Sequence, residues 1–334
     1  MSEAFVPVVD VSPLVRPGPE RLRRRVAGEL GAACREWGFF TVVGHGVDPA
    51  LEARLDVLSR IFFARPEAEK RAIRMALGGR AWRGWFPVGG ELTSGRPDAK
   101  EGIYFGAELG EEDARVRAGW PLHGRNLFPD LPGFRETVLA WIDAMTTLGH
   151  ALLEGLARAL ALDPGYFRAH YTGDPLVLFR IFHYPATAPS PDGAPVFGVG
   201  EHTDYGVLTI LKQDDAGGLE VHARGRWLEV TPMPGALVCN LGDMLERMTG
   251  GRFRSTPHRV LNRSGRSRLS FPFFFDPGWE VAVGRLPGCE EPPPGSPARE
   301  RWDGADPLAF EGTYGDYLLA KVSKVFPALG GAVL

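Results

Sequence analysis

The sequence is poor in cysteine, and the three cysteines it has form no pattern. Cys34, Cys239 and Cys289 are widely separated along 334 residues, their number is odd, and no two of them make a CxxC pair. Disulfide frameworks use an even set of cysteines, and structural zinc sites use closely spaced pairs. The sequence therefore argues against both and predicts buried, reduced thiols.

Long hydrophobic runs are also missing. No apolar stretch approaches the ~18–20 residues that a membrane-spanning helix needs. The opening segment, MSEAFVPVVDVS, lacks the positively charged stretch followed by an apolar stretch that is typical of a secretory signal peptide. We therefore expect no membrane association and a cytoplasmic location.

The chain has no excess of positive charge. Lys and Arg total 38 against 41 Asp and Glu, which gives a net charge of −3 at pH 7. This balance argues against broad electrostatic attraction to nucleic acid or anionic lipid, so we expect no nucleic-acid partner. GxSxG, GxGxxG, HExxH and Walker-type motifs are absent as well, which disfavours hydrolases, Rossmann enzymes and nucleotide-binding proteins.

The chain does contain ample apolar sequence, and the apolar residues follow two different patterns. The first half mixes strand-like runs with helical patterns, and the later part consists of short apolar runs separated by turn residues. The predicted helices cover residues 19–37, 49–63, 132–160 and 313–325. The predicted strands cover residues 6–10, 38–43, 176–184, 206–213, 226–231, 236–241, 259–262 and 268–275. This order predicts one α+β domain in which N-terminal helices buttress an antiparallel sandwich or barrel.

Polar residues collect beside a predicted strand at residues 198–206. In extended backbone, side chains at i and i+2 point to the same side, so His202 and Asp204 can converge on one point. His258, stiffened by the preceding Pro257, is a third candidate ligand. Two imidazoles and one carboxylate on one face of a metal leave positions open for oxygen and an organic ligand, as in non-haem Fe(II) sites.

An HxD motif alone is common by chance, so the strand that follows His258 matters. Ten residues later, Arg268 and Ser270 share one face of a predicted strand, and Leu269 lies on the other face with a series of phenylalanines. An arginine fork beside a hydroxyl suits the distal carboxylate of a dicarboxylic acid. The two motifs together predict a metal site next to an anion site.

With these motifs in this order, the chain resembles the Fe(II)/2-oxoglutarate-dependent dioxygenases of the isopenicillin N synthase-like group over nearly its whole length. The matching segments are residues 6–10 (the opening strand), 37–46 (a GFF…HG signature), 181–185 (the strand whose Tyr helps to bind the co-substrate), 202–204 with His258, and 268–270. Phe182 departs from the pattern, because plant members of the group usually have Asn there. The departure makes the expected pocket more apolar.

The resemblance implies a double-stranded β-helix, or jelly-roll, flanked by helices. Residues 1–334 would form one dioxygenase domain, with residues 1–120 as an N-terminal helical and strand buttress and residues 170–285 as the jelly-roll core that carries the metal. The residues that it assigns to catalysis and to Fe(II) are His202, Asp204 and His258. Those that it assigns to 2-oxoglutarate are Arg268, Ser270 and Tyr184.

The implied reaction consumes O2 and 2-oxoglutarate, releases succinate and CO2, and hydroxylates, desaturates or cyclises a small organic molecule. The expected protein is a monomer or a weak oligomer. Two alternatives stay open on the sequence. The same motifs occur in iron oxidases of the isopenicillin N synthase or aminocyclopropane-carboxylate oxidase type, which need no 2-oxoglutarate. A non-catalytic binding module stabilised by a metal is the alternative from another class.

Aromatic residues are the candidates for binding the primary substrate. We predict Trp82, Phe105, Phe182 and Tyr205 as pocket residues, although ordinary core packing would also explain them. Residues 78–99 are rich in Gly, Pro and aromatics and are predicted as a long loop. We expect residues 78–106 to form part of the substrate wall, since long loops in compact enzymes often border a binding site.

Overall fold

A computed structural model describes residues 6–93, 95–186, 196–289, 310 and 312–325. Within these ranges the chain forms fourteen β-strands and nine α-helices. The strands are β1 (Val8–Asp10), β2 (Phe39–Val43), β3 (Gly84–Phe86), β4 (Leu92–Thr93), β5 (Arg96–Pro97), β6 (Glu101–Gly106), β7 (Leu176–Tyr184), β8 (Phe197–His202), β9 (Leu208–Gln213), β10 (Leu219–Ala223), β11 (Arg226–Glu229), β12 (Leu237–Leu241), β13 (His258–Leu261) and β14 (Arg268–Asp276).

The helices flank these strands, and the four longest of them lie where the sequence predicted helices, whereas the five short ones were not predicted. The helices are α1 (Ser12–Val15), α2 (Glu20–Glu36), α3 (Pro49–Phe63), α4 (Glu67–Lys70), α5 (Ala114–Arg117), α6 (Phe134–Ala159), α7 (Tyr166–His170), α8 (Asp243–Met248) and α9 (Tyr314–Val325), with short 3₁₀ turns at Arg71–Ile73, Met75–Leu77 and Gly79–Ala81. The start of helix α3 illustrates how the sequence fixes the first residue of a helix. The Asp48 side chain accepts a hydrogen bond from the Ala50 amide, and Pro49 occupies the first helical turn.

The strands form two main sheets. The larger has the order β1-β2-β12-β9-β14-β7-β6-β3, and the smaller has the order β11-β10-β13-β8. Apart from the parallel pair β1–β2, the strands in both sheets pair in antiparallel fashion. Strands β12, β9, β14 and β7 and the four strands of the smaller sheet make up the jelly-roll. The predicted fold class is therefore confirmed.

The N-terminal region contributes strands as well as helices to this architecture. Strands β1 and β2 extend the larger sheet beyond β12, and β6 and β3 extend it beyond β7. Helix α6 packs against the larger sheet and is covered in turn by α2 and α3. A Cβ atom at Gly149 would lie 2.8 Å from the Phe275 ring, so glycine is needed for α6 to approach β14 this closely.

Residues 78–99 differ from the predicted long loop. Strand β3 lies in this segment and pairs with β6, and β4 and β5 form a small hairpin. Each of these strands has three residues or fewer, and a strand this short is stabilised by its pairing partner rather than by its own sequence pattern. Strand β10 was likewise not predicted, and it is held between β11 and β13.

The absences noted in the sequence have structural counterparts in the described residues. Cys34, Cys239 and Cys289 are buried, as predicted, and no disulfide joins any two of these described residues. Of the helices that the structure describes, none is long and apolar enough to cross a membrane.

Candidate active site

Three predicted metal ligands come together at one end of the smaller sheet. His202 ends β8 and His258 begins β13, and the two residues are directly paired across the antiparallel strands. Asp204 follows His202 by two residues, and its Oδ1 atom lies 3.8 Å from Nε2 of each histidine. The three ligand atoms lie within 4.8 Å of one another. The predicted convergence of these side chains is therefore confirmed.

Hydrogen bonds fix which atoms face the centre of this group. Nδ1 of His202 lies 2.8 Å from the Gly200 carbonyl, and Nδ1 of His258 lies 3.2 Å from the Thr256 carbonyl. A carbonyl oxygen can only accept, so both Nδ1 atoms carry the proton and both Nε2 atoms present a lone pair. The group is thus oriented to bind a divalent metal.

The carboxylate of Asp204 is oriented in the same way. Its Oδ2 atom accepts hydrogen bonds from Thr209 Oγ1 at 2.5 Å and from Asn240 Nδ2 at 2.7 Å, which leaves Oδ1 facing the histidines. Thr209 lies on β9 and Asn240 on β12, so two strands of the larger sheet hold a ligand that follows a strand of the smaller one. Such outer contacts orient the ligands and tune metal affinity.

The charges of these groups suit metal binding. Burial alone would raise the pKa of Asp204, but the facing His258 and His202 rings and the hydrogen bonds from Asn240 and Thr209 hold the pKa below its usual value. Burial, with a further contribution from His202, lowers the pKa of His258 to about 4. At neutral pH the site therefore offers a carboxylate and a neutral imidazole, the forms that bind a metal.

A buried arginine forms a second, anion-binding feature. Arg268 is fully buried, and its Nε donates to the Gly217 carbonyl at 2.7 Å, but Nη1 and Nη2 have no hydrogen-bond partner among the described residues. The guanidinium lies 4.7 Å from the Tyr184 ring centroid, and the Tyr184 hydroxyl lies 3.3 Å from Ser270 Oγ. Because unpaired buried donors are costly, this arrangement fits a bound carboxylate such as that of 2-oxoglutarate.

The three candidate ligands His202, Asp204 and His258 are called the metal-binding group below. They line the same cavity as Arg268, and this cavity has a volume of about 480 Å³. The alternation of side chains along each strand selects the lining residues of the larger sheet. Those from β7 and β14 are Leu178, Arg180, Phe182, Tyr184, Arg268, Ser270, Pro272, Phe274 and Asp276. The volume is in the range of sites that bind small organic molecules.

The four predicted substrate residues divide into two pairs. Phe182 and Tyr205 line the cavity, whereas Trp82 and Phe105 do not. Phe105 instead stacks on Phe128 and Phe179, with ring centroids 5.5 and 6.0 Å apart. We therefore correct the expectation for Trp82 and Phe105, which belong to the hydrophobic core. The physical reason for Phe105 is that alternate residues of β6 face opposite sides of the sheet.

Segment 78–106 does reach the cavity, but through other residues. Those of its residues that line the cavity are Glu91, Leu92, Thr93, Gly95 and Lys100. Other charged lining residues that the sequence reasoning missed are Arg180, Asp276 and Lys321. A signal for Arg180 was present, because it precedes Phe182 by two residues and Tyr184 by four on one strand. Asp276 had the same kind of signal, because it follows Ser270 by six residues on β14, whereas Lys321 and the charged residues of segment 78–106 had none.

Asp276 connects the C-terminal helix to the loop that follows the metal-binding group. Its carboxylate accepts hydrogen bonds from the Tyr314 hydroxyl at 2.6 Å and from the Val207 amide at 2.9 Å. Burial raises the pKa of Asp276 to about 7. Because Tyr314 belongs to α9, this contact holds α9 against the cavity, which it also lines through Leu318.

Comparison with known proteins places this site in a family. Residues 6–131 match the family model described as the N-terminal region of non-haem dioxygenase in morphine synthesis, and residues 173–277 match the 2OG-Fe(II) oxygenase superfamily. A relative from Dictyostelium discoideum, a probable iron/ascorbate oxidoreductase, is 47% identical over 98% of this chain and 97% of its own. The chain belongs to the 2-oxoglutarate–Fe(II) oxygenase superfamily.

Two further comparisons agree with this membership. A 1-aminocyclopropane-1-carboxylate oxidase from Dictyostelium mucoroides is 35% identical over 96% of this chain and 95% of its own. A crystal structure of a 2OG-Fe(II) oxygenase family protein from Caulobacter crescentus is 28% identical, with a TM-score of 0.77 over 96% of this chain and 98% of that one. The protein is a non-haem dioxygenase that depends on Fe(II) and 2-oxoglutarate and uses O2.

Proposed function

We propose that His202, Asp204 and His258 bind Fe(II), and that Arg268, with Ser270 and Tyr184, holds the distal carboxylate of 2-oxoglutarate. The observation that carries this proposal is the buried Arg268 fork, which has two unpaired nitrogens in the same cavity as the three ligand atoms. Ser270 and Tyr184 add hydroxyl groups on the same side of the cavity.

When bound, Fe(II) and 2-oxoglutarate supply the oxidising power by reducing O2, with release of succinate and CO2. The residues of this chain then determine what is oxidised. Asp204 and the two histidines would hold the metal from one side, so that its open face would be turned towards the cavity that they line. Phe182, Phe274 and neighbouring apolar residues exclude water there. We propose that a small organic molecule is hydroxylated, desaturated or cyclised at this face.

The sequence also left open an oxidase that needs no 2-oxoglutarate, and one relative is named as such an enzyme, an aminocyclopropane-carboxylate oxidase. Oxygen uptake and succinate release, measured together with Fe(II), 2-oxoglutarate and a panel of small organic molecules, separate the two. We expect equal amounts of O2 consumed and succinate released, and a true substrate to raise both. Product formation that continues without 2-oxoglutarate and yields no succinate would favour the oxidase.

Other properties of the protein are also proposals. We propose one dioxygenase domain, since strands from residues 1–120 and 170–285 share one sheet and one hydrophobic core. We propose that the protein is a monomer or a weak oligomer. The net charge of −3 supports the absence of a nucleic-acid partner, and the buried thiols support a cytoplasmic location.

Asn240 provides a test of how the metal ligand is oriented. Asn240→Ala removes the 2.7 Å hydrogen bond to Asp204, and we expect Fe(II) affinity to fall by roughly 10–100-fold. The measurement is anaerobic titration of the protein with Fe(II). Asn126→Ala is the matched control, because Asn126 is also buried but donates hydrogen bonds to Gly106 and Glu108, which do not line the cavity. Unchanged affinity in Asn240→Ala would contradict the role.

A further inference from the structure

The cavity contains a second arginine whose position separates it from the 2-oxoglutarate site. Arg180 lies on the same face of β7 as Tyr184, four residues away, which is ~13 Å along an extended strand. In the proposed function, one carboxylate of 2-oxoglutarate is held near Tyr184 by Arg268 and the other lies at the metal. Arg180 is therefore distant along β7 from the residues proposed to hold the distal carboxylate, and the proposed function assigns it no contact with 2-oxoglutarate.

Packing holds the Arg180 side chain in one place. Its guanidinium carbon lies 4.1 Å from the Tyr104 ring centroid and 4.7 Å from that of Phe274, and the side chain is 16% exposed. Arginine commonly stacks on aromatic faces in this way, and stacking leaves the edges of its planar fork available for hydrogen bonds. The side chain is thus ordered before any ligand arrives.

The hydrogen-bonding capacity of Arg180 is largely unused. Its Nε has no hydrogen-bond partner among the described residues, and Nη1 lies 3.5 Å from Glu91 Oε1, which is long for an ion pair. Glu91 is already bound more closely by the Tyr104 hydroxyl at 2.5 Å and by Lys100 at 2.8 Å. Glu91 therefore positions the arginine without occupying its fork.

We propose that Arg180 binds a carboxylate of the primary substrate, and that this substrate is an organic acid with an apolar body. This inference rests on the proposed function, since it uses the space that 2-oxoglutarate leaves. A planar carboxylate matches the flat guanidinium between two rings. The apolar body would lie among the nonpolar cavity residues, which include Leu178, Leu211, Phe274 and Leu318. Arg180 would then select the substrate and orient its reacting carbon towards the open face of the metal.

The test compares acids with their neutral amides. Protein loaded with Mn(II) and saturating 2-oxoglutarate is titrated by calorimetry with phenylacetate, 3-phenylpropionate and 4-phenylbutyrate, and with the amide of each. A charge-assisted contact predicts that at least one acid binds about tenfold or more tightly than its amide. Arg180→Met should reduce this preference to less than about twofold, while Arg180→Lys should retain part of it.

Two controls decide between the possible results. Lys321→Met removes another cation that lines the cavity and should leave the preference for acids intact. The affinity for 2-oxoglutarate, measured in the same experiment, should be unchanged in Arg180→Met. The inference about Arg180 is wrong if 2-oxoglutarate binds normally but no acid binds better than its amide. It is also wrong if Lys321→Met, rather than Arg180→Met, removes the preference for acids. In both cases the proposed function stands. Failure of 2-oxoglutarate to bind the wild-type protein would overturn both.

Discussion

Replacing Asp204 by alanine is expected to abolish turnover and to remove most of the bound iron. Asp204 supplies the negative charge among the three proposed ligands, and its Oδ1 faces both histidines at 3.8 Å. Without Asp204, only two neutral imidazoles would bind a divalent cation in a buried site. They would not compensate for the loss of its hydration shell, so binding would be weak. We expect the loss in Fe(II) affinity to exceed the ~10–100-fold that loss of an outer contact costs.

The measurement is iron content after anaerobic loading and dialysis, with 2-oxoglutarate turnover measured on the same samples. Asp276→Asn is the matched control, because it removes another buried carboxylate from the same cavity and leaves the three ligands in place. We expect that variant to keep its iron. Full iron occupancy in Asp204→Ala would show that the metal is bound elsewhere.

Changing Arg268 to lysine is expected to raise the 2-oxoglutarate requirement by about 10–100-fold while iron binding stays the same. Lysine keeps the positive charge but replaces the planar fork by a single ammonium group, so the two-point contact with a carboxylate is lost. The Nε bond of Arg268 to the Gly217 carbonyl, which fixes the fork, is lost with it. The measurement is the dependence of succinate release on 2-oxoglutarate concentration, together with Fe(II) titration.

Arg266→Lys is the control for this change. Arg266 lies two residues earlier, is more than half exposed and pairs with Asp215 at the surface, so its replacement should leave both titrations unchanged. An Arg268→Lys variant with the wild-type requirement for 2-oxoglutarate would exclude Arg268 as the anchor. Such a result would also favour the activity of an oxidase that works without 2-oxoglutarate.

The convergence of the candidate metal ligands could be predicted from the sequence because it depends largely on short-range geometry. Two residues apart on an extended chain, His202 and Asp204 must point to the same side, and the same rule places Arg268 beside Ser270. Helix α6 was predictable for a similar reason, since its apolar residues recur every three or four positions. His258 could be named from the residues only as a candidate third ligand, because its pairing with His202 spans 56 residues of sequence.

The surroundings of the site depend on contacts between distant segments, and no local pattern predicts them. Thr209 and Asn240 hold Asp204 only because β9 and β12 are neighbouring strands that pair Thr209 directly with Asn240. Phe105 faces the core and not the substrate because the pairing of β6 with β7 decides which side of β6 is turned towards the cavity. The sequence by itself thus determined the fold class and the residue types at the metal and anion sites. The tertiary structure alone decided which other side chains share their cavity, since burial and pairing are set by the packing of the whole chain.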